Sequence, residues 1–202
     1  MTENIAPVWG APIRGTKDDA EKNVEETANR IYFYSGVDSE SALRVNKILL
    51  EMSHIHLRDK IIRELEGIDP IYLHINSNGG FVLDGFAIMD AIGRIQSNGL
   101  KVTTIIDGLV ASSATLFSVI GNHRQIGSNS MMLIHQLSSK ILGKYADLKD
   151  GLKNADVLMN KIMGIYKKYT KIPEGEIKGI LEHDLYFDAE QCLEYGLVDE
   201  II

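Results

Sequence analysis

Three observations predict an α/β fold for this chain. Short runs rich in β-branched and aromatic residues alternate with longer stretches whose apolar residues recur at helical spacing. Turn signals such as "SNGG" separate the two kinds of segment. The 202 residues, 45% of them hydrophobic, suit one domain with a sizeable core. Strand–helix–strand alternation implies crossover connections.

Residues 1–28 are polar and charged and are predicted to form a flexible arm, with a helical turn around "TKDDAEKNVEETAN". The folded domain is predicted to span 29–202. It starts at "RIYFYSGV", a strand by its aromatic and β-branched content. Asp38 or Ser39 can cap the helix "SALRVNKILLEM", and "SHIHLRDKIIRELEGIDP" continues it to the Gly67–Pro70 breaker. "IYLHIN" alternates, with Ile71, Leu73 and Ile75 on one side and Tyr72, His74 and Asn76 on the other, as a strand does. A turn at "SNGG" leads into the helix "FVLDGFAIMDAIGRIQ". "KVTTIIDG" is the next strand, followed by small residues and a helix from Ser112. "QIG" and "MMLIHQ" read as two short strands. One long helix is predicted over Tyr145 to Tyr169, then two shorter ones in "PEGEIKGILEH" and "DAEQCLEYG".

Charge narrows the function classes. With 21 basic and 28 acidic residues the net charge is −7, and no basic cluster offsets it, which argues against nucleic acid and anionic membrane as partners. The single cysteine, Cys192, excludes an internal disulfide framework and reads as a buried structural thiol. No run is long enough to span a bilayer, and "MTENIAPVWGAPIRG" lacks the pattern of a secretory signal, so a cytoplasmic protein is expected. No phosphate loop is present; any ATP must be hydrolysed by another chain.

Within "GLVASSATLF", Ser112 and Ser113 stand at a helix start just after a strand. There a hydroxyl projects from a fixed turn and backbone N–H groups face developing negative charge, as acyl transfer requires. A serine at a helix start is more often only an N-cap. Of the six histidines, His135 ends the apolar run "MMLIH", where a buried strand would hold an imidazole rigidly; a structural histidine fits as well. His54 and His56 have the spacing of a metal pair but no third ligand nearby, and read as a solvated helix face. His74 and His123 have no partner that local sequence suggests. Asp184, in "LEHDLYFDAE", is a carboxylate that Tyr186 and Phe187 could shield; an ordinary surface Asp is the simpler reading. The glycines of "NSNGG" permit positive φ and expose N–H groups, as would any tight turn.

Taken together, "IYLHINSNGG", "DGLVASSAT", "MMLIHQ" and "HDLYFDAEQCLEYGLVDEII" resemble four signature segments of the ClpP family of self-compartmentalising serine peptidases, in order, over residues 30–202. The resemblance implies a crotonase/ClpP-like ββα spiral with Tyr145–Tyr169 as a protruding handle helix. It implies Ser112 as nucleophile, His135 as general base and Asp184 as the carboxylate that orients it. It further implies oxyanion donors in the backbone N–H groups of Gly80 and Ser113. An extended substrate would pair along Phe81, Val82, Leu137, Ser138 and Ser139. No cofactor or metal is implied. The expected partners are polypeptide substrates, copies of the chain in two stacked heptameric rings (a tetradecamer), and an AAA+ unfoldase. The 23 residues from Ser112 to His135 are fewer than the family pattern, which predicts a trimmed turn near "GNHRQIGSN".

Departures from the pattern are local. Asn78 and Leu137 stand where the family carries proline, and "HLRDKIIREL" lengthens the first helical region. His74, Met89 and Arg94 replace aromatic positions of the family's unfoldase-docking pocket, while Tyr72 is retained. The alternatives are a non-catalytic or ATP-independent ring protein, such as an accessory subunit or self-processing peptidase, and an acyl-CoA enzyme on the same fold.

Overall fold

The computed structural model describes residues 24–63 and 69–202. Strand β1 (Val24–Thr27) turns back antiparallel into β2 (Arg30–Phe33). The segment assigned to an arm thus ends in an edge strand rather than the expected helical turn. Val24 is fully buried while its three polar neighbours are exposed, so one apolar residue anchors a strand that reads as charged coil. The earlier part of the arm lies outside the described residues.

Helix α1 (Ser39–Arg63) begins as expected at Asp38, whose carboxylate accepts from the Ser41 N–H at 2.8 Å. Strand β3 (Ile71–Ser77) buries Ile71, Leu73 and Ile75 completely or nearly so, and helix α2 (Val82–Ser97) follows. Asp84 in its first turn and Arg94 in its last complement the helix dipole. Strand β4 (Val102–Ala111) is longer than the apolar run "KVTTIIDG" suggests, because it passes through Gly108 instead of stopping there. Next come helix α3 (Ser113–Ser118), β5 (His123–Ile126) and β6 (Met131–Leu133). The turn between β5 and β6 is tight: the Ser130 N–H donates to the Gly127 carbonyl at 2.8 Å. Helix α4 (Tyr145–Tyr169) has the predicted bounds. Its buried residues, Ile162, Ile165 and Tyr166, all lie in the C-terminal half, while Tyr145, Leu148, Leu152 and Val157 are exposed. Helix α5 (Glu174–Leu181), β7 (Tyr186–Phe187), α6 (Ala189–Glu194) and β8 (Glu200–Ile201) complete the chain. Strand β7 occupies what the sequence presents as an aromatic turn.

The sheet runs β1-β2-β3-β4-β5-β8, parallel from β2 onward. Strand β4 is forked. Thr103–Ile106 pair with β5, whereas Leu109–Ala111 pair with β6, which pairs antiparallel with β7. The register against β3 shifts between Ile75 and Ser77, so Asp107 and Gly108 bulge from the ladder. Gly108 takes φ +74° there and its N–H donates to Ser130 Oγ at 2.8 Å. The core gathers on β2–β4, with Ile31, Phe33, Leu73, Ile75 and Ile106 at 0% exposure. Each such side chain stabilises the fold by about 1.5–3 kcal/mol relative to exposure. Arg124 ties the C-terminal segment down, donating to the Tyr169 and Gly196 carbonyls at 2.7 Å and to the Asp199 carboxylate. Cys192 is buried as expected, and burial pushes its thiol up to about 12.

Candidate active site

The forked end of β4 delivers the chain to Ser112. This residue has φ 56° and ψ −129°, a conformation that residues other than glycine rarely hold. Its two flanks hold it there. The Ser112 N–H donates to the Leu133 carbonyl at 2.8 Å, continuing the β4–β6 ladder. Its carbonyl accepts from the Thr115 N–H at 3.1 Å and from Thr115 Oγ1 at 2.6 Å. Thr115 Oγ1 also bonds Tyr166 Oη at 2.6 Å, which ties α3 to α4. The side chain of Ser112 does not cap α3. The N-cap alternative for its hydroxyl is therefore not realised.

The "NSNGG" turn lies against this corner. Gly79 has φ +84°, and a Cβ there would come within 2.6 Å of both the Ala111 carbonyl and Ser112 Cβ. Only glycine lets the two backbones approach this closely. Gly80 forms a parallel bridge with Val37: the Val37 N–H donates to the Gly79 carbonyl and the Phe81 N–H to the Val37 carbonyl. In that pattern the N–H of Gly80 itself points away from Val37.

His135 leaves the end of β6 two residues beyond Leu133, after fully enclosed Ile134. The chain beyond it is anchored by Gln136 N–H to the Leu181 carbonyl at 2.7 Å and by Leu137 N–H to Met159 Sδ at 3.1 Å. Asp184 sits between α5 and β7, with Oδ1 3.6 Å from His135 Nδ1. Its side chain is 80% exposed. The shielding that Tyr186 and Phe187 could give is absent and the surface reading holds, because Tyr186 is itself half exposed and Phe187 turns into the core.

One cleft of about 620 Å³ collects Gly80, Phe81, Val82, Ser112, Ser113, His135, Leu137, Ser138 and Ser139. Asp184 reaches it only through His135. Sequence reasoning had not placed Leu158, Ile162 and Tyr166 of α4 in the cleft, although their burial stripe was readable. The cleft thus presents a hydroxyl on a strained corner, an imidazole beside a carboxylate, and backbone next to two glycines. Such a set can carry out acyl transfer.

A second polar cluster lies around His74. Its Nδ1 is 2.8 Å from Asp107 Oδ2 and its Nε2 is 2.8 Å from an Arg30 guanidinium nitrogen. Arginine only donates, so Nε2 accepts and Nδ1–H donates to Asp107. The Tyr34 hydroxyl donates to the same Asp107 oxygen at 2.7 Å. Tyr32 stacks on His74 at 4.6 Å, and Arg30 lies over the Tyr72 ring at 4.5 Å. Burial raises the Asp107 carboxyl, but the hydrogen bonds from His74 and Tyr34 outweigh it and hold the group below the usual range. Burial, with the Asp107 bond and charge behind it, raises Tyr34 to about 12. His123, the other histidine without an evident partner, meets Glu200 at 2.8 Å. The expected solvated face around His56 is modified, since its Nδ1 contacts the Met52 carbonyl at 2.8 Å. Among the described residues, no helix is long and apolar enough to cross a membrane.

Comparison with known proteins agrees with the early resemblance. A Protochlamydia amoebophila protein named ATP-dependent Clp protease proteolytic subunit 1 is 32% identical over 186 residues, 83% of this chain and 89% of its own length. A Deinococcus radiodurans protein named ATP-dependent Clp protease proteolytic subunit is 32% identical over 134 residues, 65% of this chain and 64% of its own length. A Chlamydia caviae protein named ATP-dependent Clp protease proteolytic subunit 1 is 29% identical over 196 residues, 94% of each chain. The family model described as Clp protease matches residues 26–202, which take in the strained serine corner, the histidine after β6 and the closing "EYGLVDEII". The chain belongs to the Clp protease family.

Proposed function

We propose that this peptidase is of the serine type and acts as the proteolytic subunit of a Clp-type protease. The observation that carries the reading is Ser112, held at φ 56° where the cleft also presents His135. Ser112 Oγ attacks a peptide carbonyl while His135 takes its proton. Asp184 holds the imidazole so that the ring nitrogen toward Ser112 is the basic one. The N–H groups of Gly80 and Ser113 stabilise the oxyanion. His135 then returns the proton to the leaving amine, and water hydrolyses the acyl-enzyme by the reverse sequence. Extended polypeptide lies between Phe81–Val82 and Leu137–Ser139 as an added strand.

The subunit works in the cytoplasm within stacked rings, supplied with polypeptide by an AAA+ unfoldase. The exposed apolar residues on the free half of α4 support the ring contact. A fluorophosphonate tests the chemistry. It labels the wild-type protein at Ser112, and Ser112→Ala abolishes the label; labelling that survives this substitution overturns the assignment.

A further inference from the structure

The segment that follows His135 runs between two hollows. On one side Leu137, Ser138 and Ser139 line the cleft of about 620 Å³ that holds Ser112 and His135. On the other, a cavity of about 470 Å³ is lined by Met159, Met163 and Leu181, and Gln136 lines both. Residues 134–144 form no helix or strand, so no ladder holds this partition in place. Its backbone is fastened at its start by Gln136 N–H to the Leu181 carbonyl at 2.7 Å and by Leu137 N–H to Met159 Sδ at 3.1 Å. The next such bond is Lys144 N–H to Asp147 Oδ2 at 2.9 Å. Among the described residues, the backbone from Ser138 to Gly143 makes no hydrogen bond, although the Ile141 side chain packs over Gly151 of α4. Ser138, Ser139 and Lys140 thus keep free N–H and C=O groups, which is what an added strand pairs with.

We infer that Met159 is a positioning residue for substrate: by holding the Leu137 N–H, its thioether keeps the segment from Leu137 to Ser139 where extended polypeptide pairs with it. This rests on the serine-peptidase reading and its added-strand mode of binding. Successive N–H groups of a regular strand point to opposite sides. Here two in a row, those of Gln136 and Leu137, go to acceptors that line the second cavity. Met159 therefore sets the twist of the peptide group from which Ser138 and Ser139 follow. Without that acceptor the Leu137 peptide is free to turn, and the segment has a hollow behind it to move into. His135 is shielded from this loss, because the bond from Gln136 to Leu181 lies between it and Leu137. The thioether thus acts on substrate binding and leaves the base where it is. Sulfur is a weak acceptor and Met159 is only half-buried, so the fastening can be released without rebuilding the fold.

The test uses the full chain with Met159→Leu, which keeps the bulk and removes the acceptor, and Met159→Gln, which returns an acceptor on a flexible side chain. Each is given a long fluorogenic peptide that extends to both sides of the scissile bond, and a small fluorophosphonate that reacts with Ser112 without spanning the segment. Met159→Leu raises KM for the peptide about 2–10-fold, the worth of one hydrogen bond. Its kcat and its rate of labelling stay within about twofold of wild type, the pattern of lost substrate binding. Met159→Gln returns KM to the wild-type range. An unchanged KM in Met159→Leu overturns the inference. So does a labelling rate that falls as far as kcat/KM, because the thioether would then act on His135 or on the fold as a whole. A KM as high in Met159→Gln as in Met159→Leu also overturns it, because packing rather than the acceptor would be responsible. Labelling of the wild-type protein separates the two claims. Label and cleavage with an unchanged KM in Met159→Leu remove only this inference, whereas no label and no cleavage by the wild-type protein remove the proposed function and this inference with it.

Discussion

His135 Nδ1 stands 3.6 Å from Asp184 Oδ1, beyond hydrogen-bonding distance, and the carboxylate faces water. A carboxylate so placed orients the imidazole weakly. Asp184→Asn is therefore expected to lower kcat/KM for a short peptide by about 10–1,000-fold, less than the loss of roughly a million-fold that removal of a triad serine brings. Parallel kinetics of Asp184→Asn and Ser112→Ala check this. Equal losses would mean that the carboxylate is held more tightly during turnover.

Gly79→Ala should be severe. The new methyl meets the Ala111 carbonyl and Ser112 Cβ at 2.6 Å, on a backbone already at φ +84°. Backbone strain of this kind costs about 1–3 kcal/mol before the clash is counted. Urea unfolding should show the loss of stability, and fluorophosphonate labelling of the remaining folded protein should slow, because the corner that carries Ser112 must shift.

Thr115→Val removes the hydroxyl that bonds both the Ser112 carbonyl and Tyr166 Oη. Tyr166 is 1% exposed, so its phenol is left without that partner. The expected destabilisation is about 1–3 kcal/mol. Tyr166→Phe in the same background should recover part of it, because the stranded group is then gone. A double-mutant cycle measures the coupling.

The cluster around Asp107 predicts a pH dependence with a definite sign. Asp107 is held below its ordinary value, so its contribution is complete above the unfolded carboxylate pKa and is lost as pH falls through the lower folded value. Tyr34 behaves oppositely. Its contribution is complete below the unfolded tyrosine pKa of about 10. It is lost as pH rises through the folded value, about 12. Asp107→Asn should flatten the acid limb of a stability–pH profile and Tyr34→Phe the alkaline limb, as read from urea midpoints.

The strands and helices of the central fold were legible because periodicity is local: α4 and the β3–α2 pair follow directly from it. The proposed site stands out as a set only through four separated segments matched together; singly, Ser112, His135 and Asp184 each have an ordinary alternative. What escaped depends on pairing across the chain. Strand β7 is two residues long and exists because β6 lies beside it. His74 and Asp107 are 33 residues apart and meet because β3 pairs with β4, with His74 opposite Ile105. The exposure of Asp184 agrees with the simpler surface reading; the alternative of shielding fails because nearby aromatic residues say nothing about the direction their rings take.

The fork in β4 has a mechanical consequence. Ser112 follows its second prong, His135 follows β6, and Asp184 precedes β7. These three strands are adjacent, with Ala111 paired to Leu133 and Leu133 to Tyr186. The three residues of the proposed triad therefore ride on one narrow ribbon, which leaves the main sheet at Gly108. The spacing within the trio is set by backbone hydrogen bonds of the ribbon, while the shape of the cleft above it is set by α4.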